Sequence, residues 1–269
     1  MIIYHRKERH MDTTRVPNPV RYTEDLYYIG TRKSPCWLLR GTDGLILIDT
    51  AMPEDLPLLL SRMEELGHRV EEVRHIVHSH GHIDHIGCTA ALVALCGATT
   101  YISAADADTA RGKNGLQWTN EYQIPFTGAF EPDVLLSDGD ELDIGGHHFR
   151  FVASPGHTAG TLSLFFDVTD GGVRYRAGMF GGGGLASMAL AYLDRYSLPH
   201  TLREDFIKSI DRVLDEDVTV HVGNHLGDNG HFDKLARVGE GPNPFLDGST
   251  WREFLIRRRK EAIEYFKTN

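Results

Sequence analysis

His78-Ser79-His80-Gly81-His82-Ile83-Asp84-His85-Ile86-Gly87 gathers four imidazoles and one carboxylate into its first eight residues. A solvated charge run does not concentrate histidine in this way, and a packed apolar core would not tolerate it. Imidazole and carboxylate together are the donor set of zinc and its neighbouring metals. His80 and His82 are two apart, so on an extended segment or a tight loop they face the same way. Asp84 and His85 are adjacent and must aim differently, which suits a second metal beside the first. Upstream, residues 73–79 read as the strand that delivers this loop, with His75 and His78 as core or supporting residues on it. Downstream, the apolar run 90–95 reads as a buried helix, with Cys88 and Cys96 as buried small apolar residues. The loop is therefore expected at a strand-to-helix junction.

Working outward, residues 1–20 read as an N-terminal arm ending at Pro17 and Pro19, and residues 21–269 as one domain. Short strands are expected at 26–29, 36–40 and 45–49, with a turn at Thr42-Asp43-Gly44. Leu56, Leu59, Leu60, Met63 and Leu66 recur at helical spacing and Gly67 closes that helix. A strand follows at 99–103. Residues 111–130 have no clear period but carry Trp118, Tyr122, Phe126 and Phe130; they form either a substrate wall, with Trp118 and Tyr122 in it, or the packing of a long surface loop. Residues 134–136, 141–144 and 148–153 read as strands of a meander, and 162–166 and 173–177 as a further pair joined at Asp170-Gly171-Gly172. Residues 185–192 are a candidate lid or dimer contact. Leu202, Phe206, Ile207, Ile210 and Leu214 return to helical spacing, and 218–222 form a late strand. Thr250-x-x-Glu253 reads as a capping box opening a final amphipathic helix.

Composition narrows the function classes. The chain has 269 residues, 41% of them apolar, enough for a sizeable core. Its net charge of −10 argues against nucleic acid or an anionic membrane as partner. Three cysteines supply no disulfide framework and suit a reducing compartment. Residues 1–19 lack the apolar core of a signal peptide, and no apolar run approaches the roughly 20 residues that span a bilayer. A cytoplasmic protein acting on a small-molecule substrate is expected, with a homo-oligomer left open.

The pattern H-x-H-x-D-H behind a strand resembles the metallo-β-lactamase superfamily. Most of the chain follows it, since strands and helices alternate in two halves. The resemblance implies an α/β (α+β) fold, a four-layer αβ/βα sandwich of two facing mixed sheets with helices outside. It also carries over further residues. Asp49, at the end of the 45–49 strand, matches an Asp that hydrogen-bonds the metal loop from below. Pro155-Gly156-His157-Thr158-Ala159-Gly160-Thr161 matches the next metal motif, with His157 as ligand. After the 218–222 strand a final His ligand is implied; His225 is preferred over His221, which lies within the strand. Many members place a bridging Asp after the 173–177 strand, but this chain has Gly178-Met179. Met179 is expected near the metals without binding them, and Gly181 to Gly184 allow close backbone approach there.

The implied set is His80, His82 and His157 on one ion and Asp84, His85 and His225 on the other. This most resembles the β-lactamase subclass with three His on one zinc and Asp-His-His on the second. Two zinc ions and a metal-bound hydroxide follow, with Asp84 as both ligand and orienter. The expected activity is hydrolysis of an activated carbonyl: a β-lactam, lactone, ester or thioester. A cytoplasmic lactonase or thioesterase is the alternative, and a non-heme iron oxidoreductase of the same fold a second one. A non-catalytic binding protein would be expected to have lost several of the six ligands.

Overall fold

Two sheets account for nearly all the strand residues. The computed structural model describes residues 19–269, so the expected N-terminal arm up to residue 18 lies outside the described residues. The first sheet has the order β1 (Val20–Arg21), β2 (Leu26–Tyr28), β3 (Trp37–Arg40), β4 (Leu45–Ile48), β5 (Val73–Val77), β6 (Thr99–Ser103) and β7 (Val134–Leu136). Its first four strands pair antiparallel and its last four parallel. Helices α1 (Leu56–Glu65), α2 (Ile83–Ile86), α3 (Thr89–Cys96), α4 (Ala107–Ala110) and α5 (Thr119–Tyr122) lie in the connections. The second sheet contains β8 (Glu141–Ile144), β9 (His147–Ala153), β10 (Leu162–Asp170), β11 (Val173–Met179) and β12 (Val220–His221), in the order β12-β11-β10-β9-β8. Only the β11–β12 pairing is parallel. Helices α6 (Leu190–Arg195), α7 (Leu202–Val213), α8 (His231–Ala236) and α9 (Ser249–Thr268) complete the chain.

The period-2 alternation of each strand sorts its side chains into layers. In β4, Ile46 and Ile48 face inward and join Trp37, Val77, Phe149, Phe151, Leu164 and Phe166 in a core between the two sheets. Leu45 and Leu47 face the other way, onto Leu59 and Met63 of α1 and Leu92 of α3. In β10, Phe165 turns outward onto Phe206 and Ile210 of α7 and Trp251 and Phe254 of α9. With both faces covered, these strands read as continuous apolar runs. The result is the expected αβ/βα sandwich.

The same alternation sets the direction of His221, the alternative to His225. Val220 and Val222 point into the inter-sheet core, so His221 must point outward. Its ring packs against Trp251 and Phe254, at centroid distances of 5.4 and 5.3 Å.

Four local expectations change. β7 leaves the meander and pairs parallel with β6 in the first sheet, while β8 and β9 pair in the second. The 90–95 run is helical but not buried: only Leu92 is fully covered there, and Leu95 is 49% exposed, because one stripe of α3 meets the sheet. Cys88 is buried, but Cys96 is only half-buried. The Thr250–Glu253 capping box does not form. Helix α9 already begins at Ser249, which places Thr250 inside the first turn; its hydroxyl donates to the Asp247 carbonyl (3.1 Å) while the Asp247 carboxylate accepts the Ser249 N–H (3.2 Å). Among the described residues no helix is long and apolar enough to cross a membrane.

Two buried histidines outside the candidate centre give the fold a pH dependence. Burial pushes His221 down to about 3 and His231 down to about 4. In the unfolded chain both return to about 6.5, so below that pH the unfolded state binds more protons. Their contribution is present above pH 6.5 and is lost as pH falls toward 4 and then 3. Urea unfolding of the metal-free protein should show an unfolding free energy that rises between pH 4 and 6.5, to which these two rings add on the order of a few kcal/mol. His221→Phe should make that rise shallower; an unchanged slope contradicts the assignment.

Candidate metal centre

The candidate residues sit where strands end. Asp49 follows β4, the His80–His85 loop follows β5, His157 follows β9, and His225 follows β12. Carboxyl ends of parallel strands are where open α/β sheets place their sites. Here both sheets send loops to one rim, and the inter-sheet core forms its floor.

Two trios of donor groups assemble there. His80, His82 and His157 each offer one atom, and the three atoms lie within 4.8 Å of one another. Asp84, His85 and His225 do the same. The trios adjoin, since the rings of His80 and His85 are 4.0 Å apart.

Four of the five rings are held from behind. His85 Nδ1 lies 2.8 Å from Asp49 Oδ2. His157 Nδ1 donates to the Gly184 carbonyl (2.8 Å), and His225 Nδ1 to the Lys33 carbonyl (3.1 Å). A carbonyl only accepts, so Nδ1 carries the proton in these two rings and Nε2 presents its lone pair. His80 Nδ1 lies 3.0 Å from Ser79 Oγ. The Nε2 atoms of His80 and His85 are buried and have no hydrogen-bond partner. His85 Nε2 is 3.5 Å from Asp84 Oδ2, too long for a good hydrogen bond. Orphaned buried nitrogens are costly, and imidazole lone pairs converging with one carboxylate are what zinc requires. The residues therefore fit two metal ions.

Electrostatics agree with that fit. Burial, followed by repulsion from neighbouring imidazoles, holds His80 and His82 well below the ordinary histidine range. Burial pushes His157 down to about 4 and lowers His225. These rings are neutral and ready to ligate at neutral pH. His85 differs: burial pushes it down, but Asp84 and Asp49 outweigh burial and the net shift is upward.

Asp49 directly follows β4, beneath the metal loop. It adopts φ 58°, a left-handed conformation that Asp tolerates better than most residues. The turn aims its buried carboxylate at the Ser79 N–H (2.8 Å), the Ser79 hydroxyl (2.8 Å) and His85. Met179 is fully buried at the end of β11, with its sulfur 3.8 Å from Asn224 Nδ2. Asn224 also donates to Ser79 Oγ (3.1 Å), so it ties the β12 loop to the metal loop. The Gly181–Gly184 run lies against His157: a Cβ on Gly182 would fall 2.7 Å from its ring, and one on Gly184 2.8 Å. Residues 185–192 are not a free lid, since Ser187 Oγ donates to the His157 carbonyl (2.7 Å) and Met188 is buried.

Of the two aromatic candidates, Trp118 stands beside the first trio and Tyr122 beside the second. The Trp118 ring is 5.2 Å from His82 and 4.8 Å from Tyr192 of α6. Trp118 and Gln123, which bracket α5, both have positive φ (69° and 56°). Such strain persists only where surroundings impose it; here Ile83 N–H donates to the Gln117 carbonyl (2.8 Å), and Asn120 and Glu121 both bond the Tyr196 hydroxyl. Tyr122 is half exposed on a cleft of about 420 Å³ shared with Lys33, Ser34, Met52 and Asp55. Burial and then the Asp84 charge push its hydroxyl up to about 12. Sequence reasoning missed Asn224, Ser187 and the carbonyls of Lys33 and Gly184. None of them has a motif, and backbone acceptors leave no trace in residue identity.

The chain is similar to BJP-1, a subclass B3 metallo-β-lactamase of Bradyrhizobium japonicum, with a TM-score of 0.83, 23% identity, and coverage of 95% of this chain and 96% of the other. At that identity the likeness establishes the fold. Among curated proteins it is 26% identical to the human acyl-coenzyme A thioesterase MBLAC2 over 53% of this chain and 57% of the relative. It is 24% identical to an N-acyl homoserine lactonase of a Bacillus species over 51% of this chain and 59% of the relative. The matched stretches thus span less than two thirds of these relatives' lengths. The family model described as the metallo-beta-lactamase superfamily matches residues 29–171, more than half of the chain, and the protein belongs to that superfamily.

Proposed function

We propose that the protein is a zinc-dependent hydrolase of an activated carbonyl, with His80, His82 and His157 holding one ion and Asp84, His85 and His225 the other. The observation that carries this reading is the pair of adjoining donor trios, with the buried Nε2 atoms of His80 and His85 left unpaired. When bound, zinc supplies Lewis acidity toward a carbonyl oxygen and brings the pKa of water to about 7.

The chain's own residues supply the rest. Asp84 Oδ2 lies 3.5 Å from His85 Nε2 and 3.8 Å from His225 Nε2, so this oxygen belongs with the second trio. The remaining carboxylate oxygen is free to accept a hydrogen bond from the attacking water and fix its direction. Asp49 and the carbonyls of Gly184 and Lys33 keep the rings turned with Nε2 toward the metal positions. Trp118 and Tyr192 close the His82 side against water and offer an apolar face. Tyr122 stands at the opposite mouth, where its neutral hydroxyl can donate to a substrate oxygen.

The substrate classes that suit this arrangement are β-lactam amides, lactones, esters and thioesters. A thioesterase and a lactonase among the relatives support the ester-like end of that range. The iron oxidoreductase reading is disfavoured, because position 179 carries a buried methionine where that reading expects a bridging carboxylate.

Two outcomes are expected. Purified protein should carry two zinc ions and hydrolyse at least one class in a screen of β-lactams, lactones and thioesters, with activity abolished by chelator and restored by zinc. Fully zinc-loaded protein inactive on all of them, or iron with visible absorbance, would overturn the proposal. In Asp84→Asn, loss of the charge weakens the second ion and misdirects the water together. Its kcat/KM should fall on the order of 10²-fold, about 2.7 kcal/mol, with the fold intact by circular dichroism. Parental turnover with both ions bound would contradict the role given to Asp84.

A further inference from the structure

We propose that Asp106 is a positioning residue for the first trio: its buried carboxylate joins the loop that carries His80 and His82 to the loop that carries His157. The inference rests on the reading that this trio holds zinc. Asp106 closes the short turn after β6, where Ser103 Oγ accepts its N–H at 3.2 Å. Its residue is 3% exposed.

The three hydrogen bonds that its carboxylate accepts all come from the metal loops. Oδ2 accepts the Gly81 N–H (2.9 Å) and the Thr158 hydroxyl (2.7 Å). Oδ1 accepts the Gly160 N–H (2.9 Å). Gly81 stands between His80 and His82, and Thr158 directly follows His157. The carboxylate touches no candidate ligand; it sets the backbone on which three of them are mounted. Outer partners of this sort orient ligands, and losing one typically lowers metal affinity 10–100-fold.

The surroundings are shaped to this contact. A Cβ on Gly160 would fall 2.5 Å from Asp106 Oδ1 and collide with Ser103 Oγ. A Cβ on Gly81 would fall 2.8 Å from Thr109 of α4. Glycine at both positions lets the two loops close onto one side chain. The chemistry demands a carboxylate as well. An amide offers one acceptor oxygen, so an asparagine would turn its NH2 toward either Gly160 N–H or the Gly81 and Thr158 pair, placing donor against donor. The spacing explains why no motif exposes the residue: its partners lie 25, 52 and 54 positions away.

The test compares the parent chain with Asp106→Asn, Thr158→Val and Thr158→Ser. Zinc affinity is measured by competition with a chromophoric chelator, geometry by the visible spectrum of the cobalt-substituted protein, and folding by thermal melts without metal. The expected result is one of two zinc ions bound 10–100-fold more weakly in Asp106→Asn, with an altered cobalt spectrum. Thr158→Val should weaken the same ion in the same direction, and Thr158→Ser should restore parental behaviour. If Asp106→Asn does not fold, the Val–Ser pair decides by itself. Parental zinc affinity and cobalt spectra in the variants, with only a lowered melting temperature, would make Asp106 a structural clamp and overturn the inference while leaving the zinc reading intact. A parent chain that binds no zinc would overturn both.

Discussion

Four of the five candidate imidazoles at the rim have Nδ1 engaged by the protein, and that constraint organises the surrounding structure. Asp49 holds His85, Gly184 holds His157, and Lys33 holds His225, in every case through Nδ1. The opposite nitrogens of His80 and His85 are left buried and unpaired. Leaving such an atom unmade costs roughly 1–3 kcal/mol, and here two occur side by side. Bound metal would offset that cost.

The sandwich is what makes that arrangement affordable. Two sheets covered on both faces provide a rigid floor of Trp37, Ile48, Leu164 and Met179 below the rim. Strand ends from both sheets then deliver donors from stretches far apart in sequence. Cross-links between the loops fix their separation: Leu162 N–H donates to the Ser79 carbonyl (2.9 Å), and Asn224 reaches Ser79 Oγ. The geometry needed by a metal thus comes from backbone bonds and buried amides as much as from the donors themselves.

Much of this was legible in the sequence. The His80–His85 loop announced itself by concentration of histidine, and His157 by the motif around it. The choice of His225 over His221 becomes a matter of strand parity once Val220 and Val222 are seen in the core. What stayed hidden has physical causes. Asp106 and Asn224 act across large sequence separations through hydrogen bonds that any Asp or Asn could make elsewhere. The exposed flank of α3 was misread because an all-apolar run does not reveal that only one stripe meets the sheet. The capping box at Thr250 failed because the helix already starts at Ser249, behind Gly248, which puts Thr250 inside the first turn. At position 179, read as a departure from the family pattern, the thioether is buried beside Asn224.

The central claim is that the two trios are separate, adjoining zinc sites. Anomalous diffraction at the zinc edge, from crystals grown with zinc, addresses it most directly. The account predicts two peaks roughly 3.5–4 Å apart, one among His80, His82 and His157 and one among Asp84, His85 and His225. A single peak at saturating zinc, or a His225 ring turned away from the second site, would contradict it.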